Sequence, residues 1–116
     1  MSPKRRERVA PPATAGEWEV RFGTNEAAKG WDALCQQAPG NTAVAWQQLR
    51  TNPRPPIDHR HGPLHGDLAT RLFEGRIVDQ WQIEVTGGGR IWYLIDDDRR
   101  TAWLTYAGLR HPKATD

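Results

Sequence analysis

A single cysteine, three lysines and the absence of any long apolar run set the first limits on this chain. Cys35 has no second cysteine to pair with, so no internal disulfide can form, which fits a reducing compartment. No stretch approaches the roughly 20 apolar residues of a membrane-spanning helix, and the N-terminus lacks the apolar core of a secretory signal. The expectation is a cytoplasmic protein with no membrane partner. Hydrophobic residues make up only 37% of the composition, yet six tryptophans raise the apolar area available for burial. With 116 residues, one domain and one modest core are expected, burying about two-thirds of the unfolded chain's surface.

The scarcity of lysine contrasts with thirteen arginines. Arginine engages phosphate bidentately and stacks on bases, so the bias suits a nucleic-acid partner. A GC-rich coding sequence produces the same bias. Net charge does not choose between these readings. The first sixteen residues carry +3, with Lys4, Arg5, Arg6 and Arg8 facing only Glu7; twelve basic and thirteen acidic side chains remain in the rest, which is close to neutral. Residues 1–16 lack a periodic apolar pattern and read as a flexible basic arm, either tethering RNA or simply solvated. Residues 17–116 read as one domain.

Along that domain, Trp18, Val20 and Phe22 alternate with polar residues, the pattern of a half-buried strand. Thr24 or Asn25 caps a helix carrying Ala27, Ala28, Trp31, Leu34, Cys35 and Ala38 at helical spacing. Gly30 weakens it by about 1 kcal/mol relative to alanine. Pro39-Gly40 breaks it, and Asn41 or Thr42 caps a second helix with an apolar stripe of Val44, Ala45, Trp46 and Leu49. Trp18, Trp31, Trp46 and Trp81 are expected in the core. Four prolines between Asn52 and Gly66 forbid regular structure there, so this segment crosses the surface as an irregular loop. His59, His61 and His65 lie in it, but no cysteine or carboxylate set completes a metal sphere of familiar spacing; no metal or cofactor is expected. The same loop either touches a phosphate backbone or is a polar linker. Ala69 to Val78 reads as a strand, a Glu-Gly turn and the start of the next strand.

The last third carries the scaffold. Trp81, Ile83 and Val85 alternate with Gln82 and Glu84; Gly87 to Gly89 supply the positive φ of a tight hairpin; Ile91 to Ile95 is apolar throughout, a central strand covered on both faces. Asp96 to Arg99 is a second turn and Thr101 to Tyr106 a third strand. The fold class is α+β: β-α-α, then an antiparallel three- to four-stranded sheet with two helices packed on one face.

Two segments, Leu64-His-Gly-Asp-Leu68 and Arg90-Ile-Trp-Tyr93, together with Arg110-His111 beyond the last strand, resemble the RelE/ParE superfamily, the toxins of bacterial type II toxin–antitoxin pairs. The resemblance spans roughly residues 17 to 116 and implies a RelE-like fold. It also implies a ribosome-dependent mRNA endoribonuclease that inhibits translation without a metal, neutralised by a cognate antitoxin, with mRNA and the ribosome as further partners. Attack of a ribose 2′-OH on the adjacent phosphate needs a base, cations for the phosphorane charge and an acid for the leaving 5′-oxygen. Carried onto this sequence, Arg90, Arg110 and His111 form the catalytic set, and His65, Arg71, Tyr106 and Lys113 contact RNA. One branch of the family has a glutamate base near the position of Gly62; no glutamate lies there, and the base must come from elsewhere. For Arg90 an ion pair with the Asp96–Asp98 turn is the competing role. The alternatives to the nuclease are a toxin of the same fold that poisons DNA gyrase and a non-enzymatic protein-binding module.

Overall fold

The computed structural model describes residues 4–9 and 11–112, and Lys113 lies outside them. The chain runs β1 (Glu19–Phe22), α1 (Asn25–Gln37), α2 (Pro39–Thr51), β2 (His61–Pro63), a single 3-10 turn over Gly66–Leu68, β3 (Thr70–Phe73), β4 (Arg76–Glu84), β5 (Arg90–Asp96) and β6 (Thr101–Gly108). The class is α+β, with two helices and a mixed sheet of order β1-β6-β5-β4-β2; β3 pairs with another stretch of β4. The sheet has six strands rather than three or four and is not wholly antiparallel. The helical hairpin carries the chain across one face, so β1 lies parallel to β6, pairing Glu19 with Thr101 through Phe22 with Leu104.

Strand register sorts the side chains into two faces. Val20, Phe22, Trp81, Ile83, Ile91, Tyr93, Ile95, Ala102 and Leu104 pack with Ala27, Ala28 and Leu34 of α1 and Ala45 and Leu49 of α2 in one core. The other face of β4 and β5 presents Gln80, Gln82 and Glu84 opposite Leu94, Trp92 and Arg90. There, Val78, Leu94, Trp103 and Phe73 form a smaller cluster that covers the second side of β5, all of whose residues are buried. A register shift at Trp92/Tyr93 leaves Thr105 of β6 without a partner opposite, which brings Tyr106 beside Trp92 on this same face.

Several local expectations are corrected. The second helix begins at Pro39, without a side-chain cap; proline fits the first helical position, whose N–H has no partner anyway. Thr42 instead turns its hydroxyl to the carbonyls of Leu34 and Ala38, and Asn41 donates to the Val85 carbonyl. Val44 is 72% exposed and leaves the apolar stripe, while Trp18, Trp31 and Trp46 are only partly buried against the core that Trp81 enters. The proline-rich segment does include a strand: Pro63 ends the short edge strand β2, where its missing N–H is tolerated. None of Gly87, Gly88 and Gly89 has a positive φ; the hairpin turn with left-handed residues is the β3–β4 turn, at Glu74 and Gly75. A Cβ on Gly88 would lie 3.0 Å from the Leu109 carbonyl, so this glycine admits the C-terminal segment instead.

Part of the stretch expected as an arm lies on the sheet. Arg6 and Val9 donate backbone hydrogen bonds to Phe22 and Val20, Glu7 accepts one from Phe22, and Val9 is buried. Among the described residues, no helix is long and apolar enough to cross a membrane.

Candidate active site

Arg90 opens β5 directly after the glycine turn, on the face away from the helices. Its Nη1 donates to the carbonyls of Thr86, Gly87 and Gly89 at 3.1, 3.3 and 2.9 Å, so the turn wraps one side of the guanidinium. Nη2 is left facing two other groups. The Nε2 of His111 lies 2.9 Å away, and Oε2 of Glu84, the residue opposite Arg90 in the β4–β5 register, lies 3.7 Å away. Because a guanidinium only donates, Nε2 of His111 accepts, and the imidazole is neutral with its proton on Nδ1.

These three side chains line a cleft of about 400 Å³ with His59, Pro63, Leu64, His65, Leu68 and Gln82. Its two walls have separate origins. The sheet supplies Gln82, Glu84 and Arg90, fixed by pairing; the segment from His59 to Leu68 supplies the rest apart from His111, which follows β6. That segment is anchored by Asp58, whose carboxylate accepts from the backbone N–H groups of Arg60 and His61 and is held below the usual carboxylate range by them. The Arg60 carbonyl accepts from the Glu84 N–H at 2.7 Å, which ties the loop to the strand bearing the carboxylate. His61 turns the opposite way, into the core, where its Nε2 meets the hydroxyl of Tyr93; that hydroxyl donates to the Pro53 carbonyl at 2.6 Å.

Of the residues singled out in the sequence, Arg90, His111 and His65 share the cleft. Tyr106 stands outside its lining. The ring of Tyr106 packs on Trp92 with centroids 5.9 Å apart, and its hydroxyl donates to the Arg110 carbonyl at 2.7 Å, which fixes the turn leading to His111. Arg110 is exposed and contributes that carbonyl. Arg71 is exposed on β3, away from the cleft lining. The ion pair of Arg90 with the aspartate turn does not form, because Arg90 and Asp96 are the two ends of β5; Asp96 and Asp98 pair with Arg76.

Glu84 and Gln82 are the residues that sequence reasoning passed over. Both were read as the solvent side of an alternating strand. The signal lay in the hairpin register: once Gly87–Gly89 is taken as the turn, Glu84 falls opposite Arg90 and Gln82 opposite Trp92. No family model, curated protein or solved structure matches the chain.

Proposed function

We propose that the chain is the toxin of a type II toxin–antitoxin pair, of RelE/ParE type, and that it cleaves mRNA on the ribosome. The observation that carries this reading is the meeting of Arg90, His111 and Glu84, from three separate segments, in one open cleft. The β-α-α order followed by a sheet with both helices on one face is the arrangement the resemblance implies, and it supports the same reading.

The chemistry assigns one task to each group. Glu84 takes the proton of the ribose 2′-OH, whose oxygen forms a bond to the adjacent phosphorus. Arg90 offers Nη2 to the non-bridging oxygens as the phosphorane charge develops, its other nitrogen being locked by three carbonyls and therefore already oriented. A phosphate that takes this hydrogen bond releases Nε2 of His111. The freed Nε2 of the imidazole takes a proton from solvent and delivers it to the departing 5′-oxygen, and Glu84 later returns to solvent the proton it took. The P–O5′ bond breaks, and the products are a 2′,3′-cyclic phosphate and a 5′-hydroxyl. A guanidinium supplies the charge stabilisation in this scheme, with a neutralising antitoxin as the protein partner.

Expression of the chain in growing cells, with protein synthesis and plasmid supercoiling followed together, tests the proposal. Translation fails first if it holds, and His111→Ala and Glu84→Gln relieve the arrest, each lowering cleavage by about 100-fold or more, the usual contribution of a positioned acid or base. Loss of supercoiling with intact mRNA identifies the gyrase-directed alternative. Harmless expression of a folded chain contradicts both and leaves the protein-binding module.

A further inference from the structure

Gln82 sits two residues from Glu84 on the same face of β4, about 7 Å along the strand. It lines the cleft beside Leu64, Leu68 and Pro63. Its neighbour opposite in register is Trp92, whose indole Nε1 donates to Oε1 of Gln82 at 2.8 Å. An indole N–H can only donate, so the oxygen of this amide is committed to Trp92 and the amide cannot turn over without losing the bond. Trp92 is itself 7% exposed and held by the ring of Tyr106, so the donor is fixed. The amide nitrogen, in contrast, has no hydrogen-bond partner among the described residues and is not buried. The cleft therefore contains two N–H donors of known orientation and no matching acceptor on that side chain.

The geometry points to Gln82 as a base-reading residue that selects a keto base, guanine or uracil, over an amino base, adenine or cytosine. This inference rests on the ribonuclease reading of the cleft. A nucleotide with its ribose at Glu84 and its phosphate at Arg90 extends its base along β4 toward Gln82, with Pro63, Leu64 and Leu68 forming an apolar wall for the ring. The donors of Gln82 meet the O6 of guanine or the O4 of uracil. Against adenine or cytosine they face an exocyclic amino group, donor against donor, and one hydrogen bond of the desolvated pair is unmet. Trp92 makes no contact with the base in this scheme; it is a positioning residue that sets which end of the amide is presented.

Binding of the four ribonucleoside 3′-monophosphates to the full chain, followed by isothermal titration calorimetry, reads this directly. The wild type is expected to bind the guanosine and uridine forms about tenfold or more tightly than the adenosine and cytidine forms, the ratio for one unmet hydrogen bond. Glu at this position still accepts from Trp92 but offers only oxygen to the cleft, so Gln82→Glu reverses the order. Trp92→Phe frees the amide to rotate and brings the four affinities together; circular dichroism and urea titration establish that both variants are folded. Equal affinities in the wild type, no binding of any of the four, or an order unchanged in Gln82→Glu overturns the inference. If the predicted order is found while the protein leaves mRNA intact on ribosomes, the subsite stands and the nuclease reading falls.

Discussion

His61 shows how much a single side chain can decide at neutral pH. It is 7% exposed, with its ring edge-on to Trp81 and Tyr93, and burial pushes its pKa from 6.5 down to about 4, against a smaller opposing effect of Asp58. The folded state therefore keeps the neutral ring where the unfolded chain would take up a proton. Stability from this source is complete above the unfolded value near 6.5 and is lost as the pH falls from there to about 4. The range from pH 7 to pH 5 lies inside this window, and replacing His61 isolates its share. Urea titrations at the two pH values are expected to show a loss of about 1–2 kcal/mol for the wild type, the full shift being discounted for partial solvent access, and a smaller loss for His61→Phe. The same three-histidine loop was unreadable in the sequence because nothing there distinguishes His61, turned inward, from His59 and His65, which line the cleft. Only the pairing of His61 with Ile83 across β2 and β4 settles which way the side chain points. Arg90 and His111 were legible, since an arginine opening a strand and a histidine just past the last strand are marked by position. Glu84 was not: its role depends on its opposite number in another strand.

At the level of elements, Gly30 of α1 and Gly88 and Gly89 of the β4–β5 turn act through closeness and not through backbone freedom. Gly30 has a helical neighbourhood in which alanine is favoured by about 1 kcal/mol, yet a Cβ there would stand 1.5 Å from the Ala107 carbonyl of β6. The clash is with backbone on both sides, so α1 must shift as a body. Gly30→Ala is expected to destabilise the protein by about 2–3 kcal/mol or more despite the gain in helix propensity, as measured by urea unfolding. A neutral or stabilising effect contradicts the packing of α1 on β6. Strands and helices marked by short-range pattern were legible: the alternation of β1 and β4, the buried run of β5, the Glu74-Gly75 turn, the helix capped by Thr24, which accepts from Ala27 N–H. What the pattern could not reveal is long-range. The parallel pairing of β1 with β6, the docking of Arg6 to Val9 on β1, and the edge strand β2 at a proline all depend on partners far along the chain, and local propensity says nothing of partners.

The whole molecule has two differently charged ends, set by the two ends of β5. At the Asp96 end four arginines are ion-paired: Arg76 with Asp96 and Asp98, Arg54 with Asp79 and Asp97, and Arg99 and Arg6 with Glu74. Asp96 is 2% exposed, and although burial works against its charge, hydrogen bonds from Arg76, Trp103 and the Arg99 N–H keep its carboxyl below the usual range. This end consumes most of its positive charge internally, and Arg100 donates to the Gly16 carbonyl and lies over the Trp18 ring. At the Arg90 end one guanidinium has its Nη2 turned to a cleft, flanked by an imidazole and a carboxylate. A near-neutral domain can thus turn one guanidinium nitrogen to an open cleft, and net charge was uninformative because it averages over both ends. The most direct measurement of this account is the chemistry of the RNA ends left after the purified chain acts on translating ribosomes. A 2′,3′-cyclic phosphate paired with a 5′-hydroxyl, formed by the wild type and lost in folded Glu84→Gln and His111→Ala proteins, is the predicted result. Intact mRNA, or ends carrying a 5′-phosphate, contradicts the assignment of this cleft.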